Sequence, residues 1–450
     1  MPLRGRVGRH VSTGANCQNW KSDQEVVIAL LNRIPIADGG TGGALGGRII
    51  GGFASDALYQ AILSFEKRYP PVRQTGFVEP NGPVLTQLEG LASRPPPAPP
   101  KKPGQWDAIT TRSVSKSLNA GLEGDMTLSH SDVVNIIRST LSDGVITSDE
   151  INDLATILAV ARSLQQRSKT MLATLVNTIR KTAVGKGPYR LDTDRQLFAA
   201  GMVCDFLERS GSSRFLSLDR YEVGVGLLMR IANPGLIKQD QASLCGPAAL
   251  LFSEAADNPA AYARFAIDLY EKGRAKLNRL EIAPDEDVRT YRPPPTMDHV
   301  DWMTMASIRD SENWFLDYDN ADKEFAGITL PGELADWFRR AGYSKVEQDA
   351  NIVASMGLSK IDDANRLYAD GYRICLFIGA NILSEKDQSK SSTTAEHWAV
   401  QRSLIDRLNG TVKLKVFTWG DGEYQIPHGS KTLPVGDFLG NFYGYVAGKP

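Results

Sequence analysis

Cysteine and histidine are scarce in this chain, with four Cys and five His among 450 residues. Cys17, Cys204, Cys245 and Cys375 stand far apart and form no Cys-x-x-Cys pair, which excludes a disulfide framework and a cysteine-rich zinc site. The histidines are scattered too, so no metal and no other cofactor is expected. An excess of one charge is also missing. With 51 basic and 52 acidic residues the formal net charge is −1, and that balance favours neither nucleic acid nor an anionic membrane as partner. No stretch approaches the roughly 20 apolar residues of a membrane-crossing helix. The segment from Met1 to His10 is basic but has no apolar run behind it, so no signal peptide is read and synthesis as a soluble cytoplasmic chain is expected.

The chain does have the composition of a globular protein, 42% hydrophobic and 23% charged, and a length that predicts two or three domains. Residues 1–93 are assigned to a small helical module. Val26, Val27, Leu30 and Leu31 mark one amphipathic helix, a glycine-rich loop follows, and Leu58, Ala61, Ile62 and Phe65 mark a second. Leu30-Leu31-Asn32, then Ala61-Ile62-Leu63-Ser64-Phe65-Glu66, then the turn from Gly76 to Gly82 resemble the pattern of three-helix peptidoglycan-binding modules. The chain departs from that pattern at Gly51-Gly52-Phe53, where the family carries Asp-Gly. Residues 94–106, rich in proline, read as a stiff extended linker.

Residues 107–222 are predicted mainly helical. Within them Asp143-Gly144-Val145-Ile146 and Glu150 match the later positions of a calcium loop, but Ser139 and Leu141 stand where its first acidic ligands belong. The expectation is therefore a calcium-free helix-loop-helix turn with Ser148 as N-cap. Residues 223–450 change period from helix to strand: helices near 245–256, 259–270, 300–313 and 331–341, then strands near 372–378, 397–404 and 412–419, with closing strands at 424–426 and 442–446. Helices first and antiparallel strands second predict an α+β domain.

Chemistry is concentrated in that last region. Gln239-Asp240-Gln241-Ala242-Ser243-Leu244-Cys245-Gly246-Pro247 places one cysteine at the predicted first turn of an apolar helix, where the helix terminus favours a thiolate. A cysteine nucleophile needs a base and oxyanion donors from elsewhere in the fold. Glu396-His397-Trp398-Ala399-Val400 offers the one late histidine in a convincing strand. Free cysteines are often buried small hydrophobes, which is the reading for Cys17, Cys204 and Cys375. Trp302, Arg309, Asp310, Glu312 and Asn313 form a polar and aromatic run between the two motifs, read either as a wall of the substrate cleft or as a core helix with satisfied charges.

Gln-x₅-Cys-Gly, a helical insert, His-Trp-Ala-Val and a strand ending in Phe-Thr-Trp-Gly resemble the papain-like superfamily, closest in wording to bacteriocin-processing cysteine peptidases. The resemblance covers the last half of the chain. It implies Gln239 as oxyanion donor, Cys245 as nucleophile and His397 as base. The family's orienting Asn or Asp falls on Phe417; Asp421 is the preferred replacement, with Thr418 and Asp406 as alternatives, and a dyad if none of them reaches His397. Together with the N-terminal module this implies an amide hydrolase acting on peptidoglycan stem peptides, made as an antibacterial effector for a machine such as type VI secretion, with a cognate immunity protein as partner. Two other readings stand beside it: a protease or deamidase acting on a protein of the target cell, and an inactive wall-binding protein.

Overall fold

The computed structural model describes residues 3–10, 17–43, 45–46, 49–69, 74–93, 106–123, 126–161, 164–183, 189–240, 242–312, 328–352, 354–384, 396–418, 420, 422–429 and 431–450. The chain divides into two compact units, Met1–Glu208 and Arg209–Pro450.

The first unit opens with strand β1 (Val7–Gly8), helices α1 (Lys21–Arg33) and α2 (Asp56–Arg68), strand β2 (Phe77–Val78) and helix α3 (Pro83–Ala92). Val27 and Leu31 of α1, Leu58, Ile62 and Phe65 of α2, and Val84, Leu85 and Leu88 of α3 close one core, and β1 pairs antiparallel with β2. Two polar motif residues have structural duties here. The Asn32 side chain accepts from Thr41 Oγ1 and the Leu45 amide and donates to the Leu45 carbonyl, which fastens the glycine-rich loop to the end of α1. Buried Glu66 accepts from the Thr75 and Gly76 amides at 3.0 and 2.9 Å, fixing the turn after α2.

Helices α4 (Arg112–Gly121), α5 (His130–Leu141), α6 (Ser148–Val160), α7 (Gln166–Ala183) and α8 (Asp194–Glu208) complete the unit. Between α5 and α6, β3 (Val145–Ile146) pairs with β4 (Tyr189–Arg190). Asp143 accepts from the Val145 amide at 3.0 Å, and Glu150 turns back to the Thr147 amide at 2.9 Å. The N-cap of α6 is Thr147, in a capping box with Glu150, one residue ahead of the expected Ser148. The Thr147 hydroxyl accepts from the Glu150 amide and the Glu150 carboxylate from the Thr147 amide, so the pair satisfies two amide donors reciprocally, which Ser148, with Ile151 three residues on, could not do.

In the second unit, residues 209–219 are tied to later segments of the chain: the Arg214 amide donates to the Tyr270 carbonyl and the Leu216 amide to that of Arg289. Helices α9 (Arg220–Ala232), α10 (Cys245–Asp257) and α11 (Pro259–Lys272) lead to a hairpin, β5 (Ala275–Leu277) and β6 (Leu280–Ile282). Helices α12 (Glu286–Thr290), α13 (His299–Glu312) and α14 (Pro331–Ala341) come next. The remainder runs β7 (Ser344–Ala350), α15 (Leu358–Ala369), β8 (Arg373–Ile378), β9 (His397–Gln401), β10 (Thr411–Val412), β11 (Leu414–Phe417), β12 (Tyr424–Ile426), β13 (Leu433–Pro434), α16 (Val435–Leu439) and β14 (Phe442–Lys449).

Six of these strands form one antiparallel sheet in the order β12-β11-β9-β8-β14-β7. Its two faces reflect the two-residue period of a strand. Leu376, Ile378, Ala399, Leu414, Val416 and Tyr445 point one way and pack with Ile361, Ala364 and Leu367 of α15. Phe377, Trp398 and Phe417 point the other way; Phe417 stacks on Phe252 of α10 with ring centroids 4.2 Å apart, and Phe377 stacks on Trp398 at 4.2 Å. The unit is therefore α+β, with α10 lying against the strand that carries His397. Among the described residues no helix is long and apolar enough to cross a membrane.

Candidate active site

Helix α10 begins at Cys245. Its first intrahelical bond runs from the Ala248 amide to the Leu244 carbonyl at 2.9 Å, and Pro247, having no N–H, falls inside the first turn where none is required. Residues Cys245 through Ala255 are all buried, the polar Ser253 and Glu254 included, so the helix is enclosed along most of its length. Gly246 has a steric reason: a Cβ there would lie 2.5 Å from Thr329 Cβ.

His397 starts β9, with Trp398 opposite Phe377 of β8. The backbone amides of Trp398 and Gly246 lie close enough to the Cys245 sulfur to favour its thiolate, which brings the sulfur near the residue next to His397. Burial is the largest influence on the thiol and pushes it up; those amides, the Arg309 guanidinium and the cysteine's own amide pull the other way. Burial also pushes the His397 imidazole down, to about 4. Both effects disfavour charge, so at neutral pH the pair rests as thiol and neutral imidazole. Cys245 and His397 are each 5% exposed, which leaves only a small part of either open to an approaching substrate. The other buried cysteines are governed by burial, which lifts Cys204 to about 11 and pushes Cys375 well up.

Thr418 is the residue that meets the His397 ring. Its Oγ1 lies 2.6 Å from His397 Nε2, and the pair is buried. Asp406 spends its carboxylate on the Leu408 amide at 3.0 Å, beside its backbone pairing with Lys413. Asp421 lies outside the described residues.

Gln239 is buried on the loop that precedes α10, and its carbonyl accepts from the Ala242 amide at 3.2 Å. That loop is fastened from two sides. Asp301 of α13, fully buried, accepts the Lys238 amide at 2.9 Å and two N–H bonds from Arg230 at 2.8 and 2.6 Å. Burial pushes the Asp301 carboxyl up to about 6, while the Arg230 guanidinium and the Lys238 amide pull it down. From the other side, the Gly422 amide donates to the Gly235 carbonyl at 3.0 Å, and Gly420, at φ +83°, packs so closely that a Cβ would lie 2.5 Å from Lys238 Cβ. Left-handed backbone and close approach both require glycine there.

In the polar run of α13, Arg309 is the member whose charge acts on Cys245. Its Nη1 lies 3.5 Å from Thr329 Oγ1 and 3.9 Å from Glu333, and Thr329 is the residue packed on Gly246. The Thr329 carbonyl accepts from Trp398 Nε1 at 2.8 Å. Trp302 packs on Tyr291, Asp310 accepts from the Asp285 amide and Glu312 pairs with Arg340; Asn313 lies outside the described residues. Thr329, Asp301 and Arg230 had no motif around them that could have announced their parts in the site. Among the described residues no three His, Cys, Asp or Glu side chains are grouped as metal ligands. No protein-family model, no curated protein and no solved structure matches this chain.

Proposed function

We propose that the C-terminal unit is a papain-like cysteine hydrolase that cleaves an amide bond, with Cys245 as nucleophile, His397 as base, Thr418 as its orienter and Gln239 as oxyanion donor. Support comes from one juxtaposition: the amide of Trp398 lies near enough to the Cys245 sulfur to favour its thiolate, while Thr418 Oγ1 lies 2.6 Å from Nε2 of the neighbouring His397. Because the resting pair is neutral, attack is general-base assisted. The thiol proton passes to His397 Nδ1 as sulfur bonds to the carbonyl carbon, and Nε2–H donates to Thr418. The oxyanion is met by the Cys245 amide and the Gln239 side-chain NH₂. Collapse returns the proton to the leaving amine and leaves a thioester, which water, deprotonated by His397, then hydrolyses.

For substrate we propose peptidoglycan stem peptides, on the strength of the peptidoglycan-binding pattern in residues 1–93, with delivery to the periplasm of a target bacterium and a cognate immunity protein in the producer. A muropeptide digest tests this. New free amino groups are expected with wild type and none with Cys245→Ala; intact muropeptides from both would remove the wall substrate. Toxicity confined to cytoplasmic expression would turn the reading toward a protein substrate for the same catalytic groups.

A further inference from the structure

The mechanism so far makes no use of one buried charge beside the nucleophile. Arg309 is almost fully buried, and its guanidinium approaches Thr329 Oγ1 at 3.5 Å. Glu333 lies 3.9 Å from the same guanidinium and is also engaged at 2.8 Å by the Leu330 amide. The Thr329 hydroxyl is pressed against Gly246, the residue after Cys245. Through its carbonyl, the same Thr329 holds the Trp398 indole at 2.8 Å, and the amide of Trp398 lies near enough to the sulfur to favour its thiolate. One threonine therefore connects Arg309 to both backbone segments that cradle the thiol.

We propose that Arg309 is a positioning residue for the reaction, a buried cation acting through Thr329 to stabilise the Cys245 thiolate as it forms. The inference rests on Cys245 being the nucleophile. The step is a proton transfer: the S–H bond of Cys245 breaks, an N–H bond forms on His397, and the negative charge left on sulfur faces Arg309 in a site with little water. In so dry a place a full positive charge acts more strongly than at the surface. Among the described residues, Arg309 from α13 is the charged group that acts on the sulfur, and Glu333 of α14, 3.9 Å from the same guanidinium, weakens its field.

Alkylation of the full-length protein by iodoacetamide, followed by peptide mapping across a pH series, tests this without knowledge of the substrate. In Arg309→Met we expect Cys245 to react roughly tenfold more slowly at neutral pH, with the profile moved to higher pH. Arg309→Lys should recover most of the rate. Glu333→Gln, which keeps an acceptor for the Leu330 amide, should move the profile the opposite way, a sign that misfolding cannot imitate. A profile unchanged in folded Arg309→Met, or a loss in Glu333→Gln, overturns the role of Arg309 alone. Cys245 reacting no faster than Cys375 in wild type overturns the nucleophile assignment and the inference with it.

Discussion

Replacing Thr418 by valine keeps the shape of the side chain and removes the hydroxyl that lies 2.6 Å from His397 Nε2. For Nδ1 to accept the thiol proton, Nε2 must carry its hydrogen, and in a buried site that hydrogen needs an acceptor. Leaving a buried donor without one costs about 1–3 kcal/mol. If the cost falls on the productive tautomer and ring orientation, turnover drops about 5- to 150-fold. The imidazolium formed during attack loses the same acceptor, so the effect belongs in kcat more than in KM. Thr418→Ser retains the oxygen and should stay within a few-fold of wild type. The assay is amide cleavage with the Cys245 alkylation rate measured in parallel, because alkylation reports the local state of the thiol independently of substrate binding. Thr418→Val that is folded and turns over like wild type would refute the assignment and leave a Cys245–His397 dyad.

Gln239→Ala should lower kcat by about 10²- to 10³-fold and leave Cys245 alkylation unchanged, since alkylation develops no oxyanion. Gly246→Ala drives a methyl to 2.5 Å from Thr329 Cβ and should cost about 1–3 kcal/mol of stability, read by urea denaturation. Stability should also depend on pH in two opposed ways. The imidazole of His397 is lowered from 6.5 to about 4, so its contribution is complete above pH 6.5 and is lost as pH falls toward 4; the Glu254 carboxyl, raised by burial from 4.5 to about 8, contributes below pH 4.5 and loses its share as pH rises toward 8. The two oppose each other between pH 4.5 and 6.5, and above that Glu254 governs. Glu254→Gln should therefore flatten the decline toward pH 8 in a series of urea melts, and a decline that persists in this variant would rule out Glu254 as its origin.

Much of the fold was legible because burial imposes a period on the sequence. Leu58, Ala61, Ile62 and Phe65 predict α2, which is observed at Asp56–Arg68, and the apolar run behind Cys245 predicts α10, observed at Cys245–Asp257. The strand β7 left no such trace. Ser344-Lys345-Val346-Glu347-Gln348-Asp349-Ala350 lies at the sheet edge with most of its side chains in solvent, and it is a strand because β14 pairs with it. Helix α15 did carry a signal, Ile361, Ala364 and Leu367 at helical spacing, though its three apolar positions are diluted by charged neighbours and it is absent from the predicted helices. In the site, the segments bearing Gln239, Cys245 and His397 could each be picked out alone. The groups that fasten them could not, since Asp301 meets Lys238 across 63 residues and Thr329 meets Trp398 across 69.

The contact between His397 and Thr418 could be approached from the sequence but needs the sheet to be placed. Counting back from Trp419-Gly420 puts Phe417 where an Asn or Asp would stand, and a phenylalanine cannot hold an imidazole by a hydrogen bond. Strand register resolves this. Phe417 pairs with Val400 and Val416 with Gln401, and β11 ends at Phe417, so Thr418 is the first residue past the strand. Side chains alternate along a strand; Phe417 is turned against Phe252 of α10, while Thr418, one residue on, meets His397. Residues of neighbouring strands come within reach of a long or ring side chain, and His397 Nε2 lies 2.6 Å from Thr418 Oγ1. The parity of the strand selects Thr418 over Phe417. If that parity is what matters, exchanging the two residues, as Phe417→Thr with Thr418→Phe, should abolish turnover even though the composition of the strand is unchanged. Turnover retained in the folded exchange variant would show that another residue orients His397.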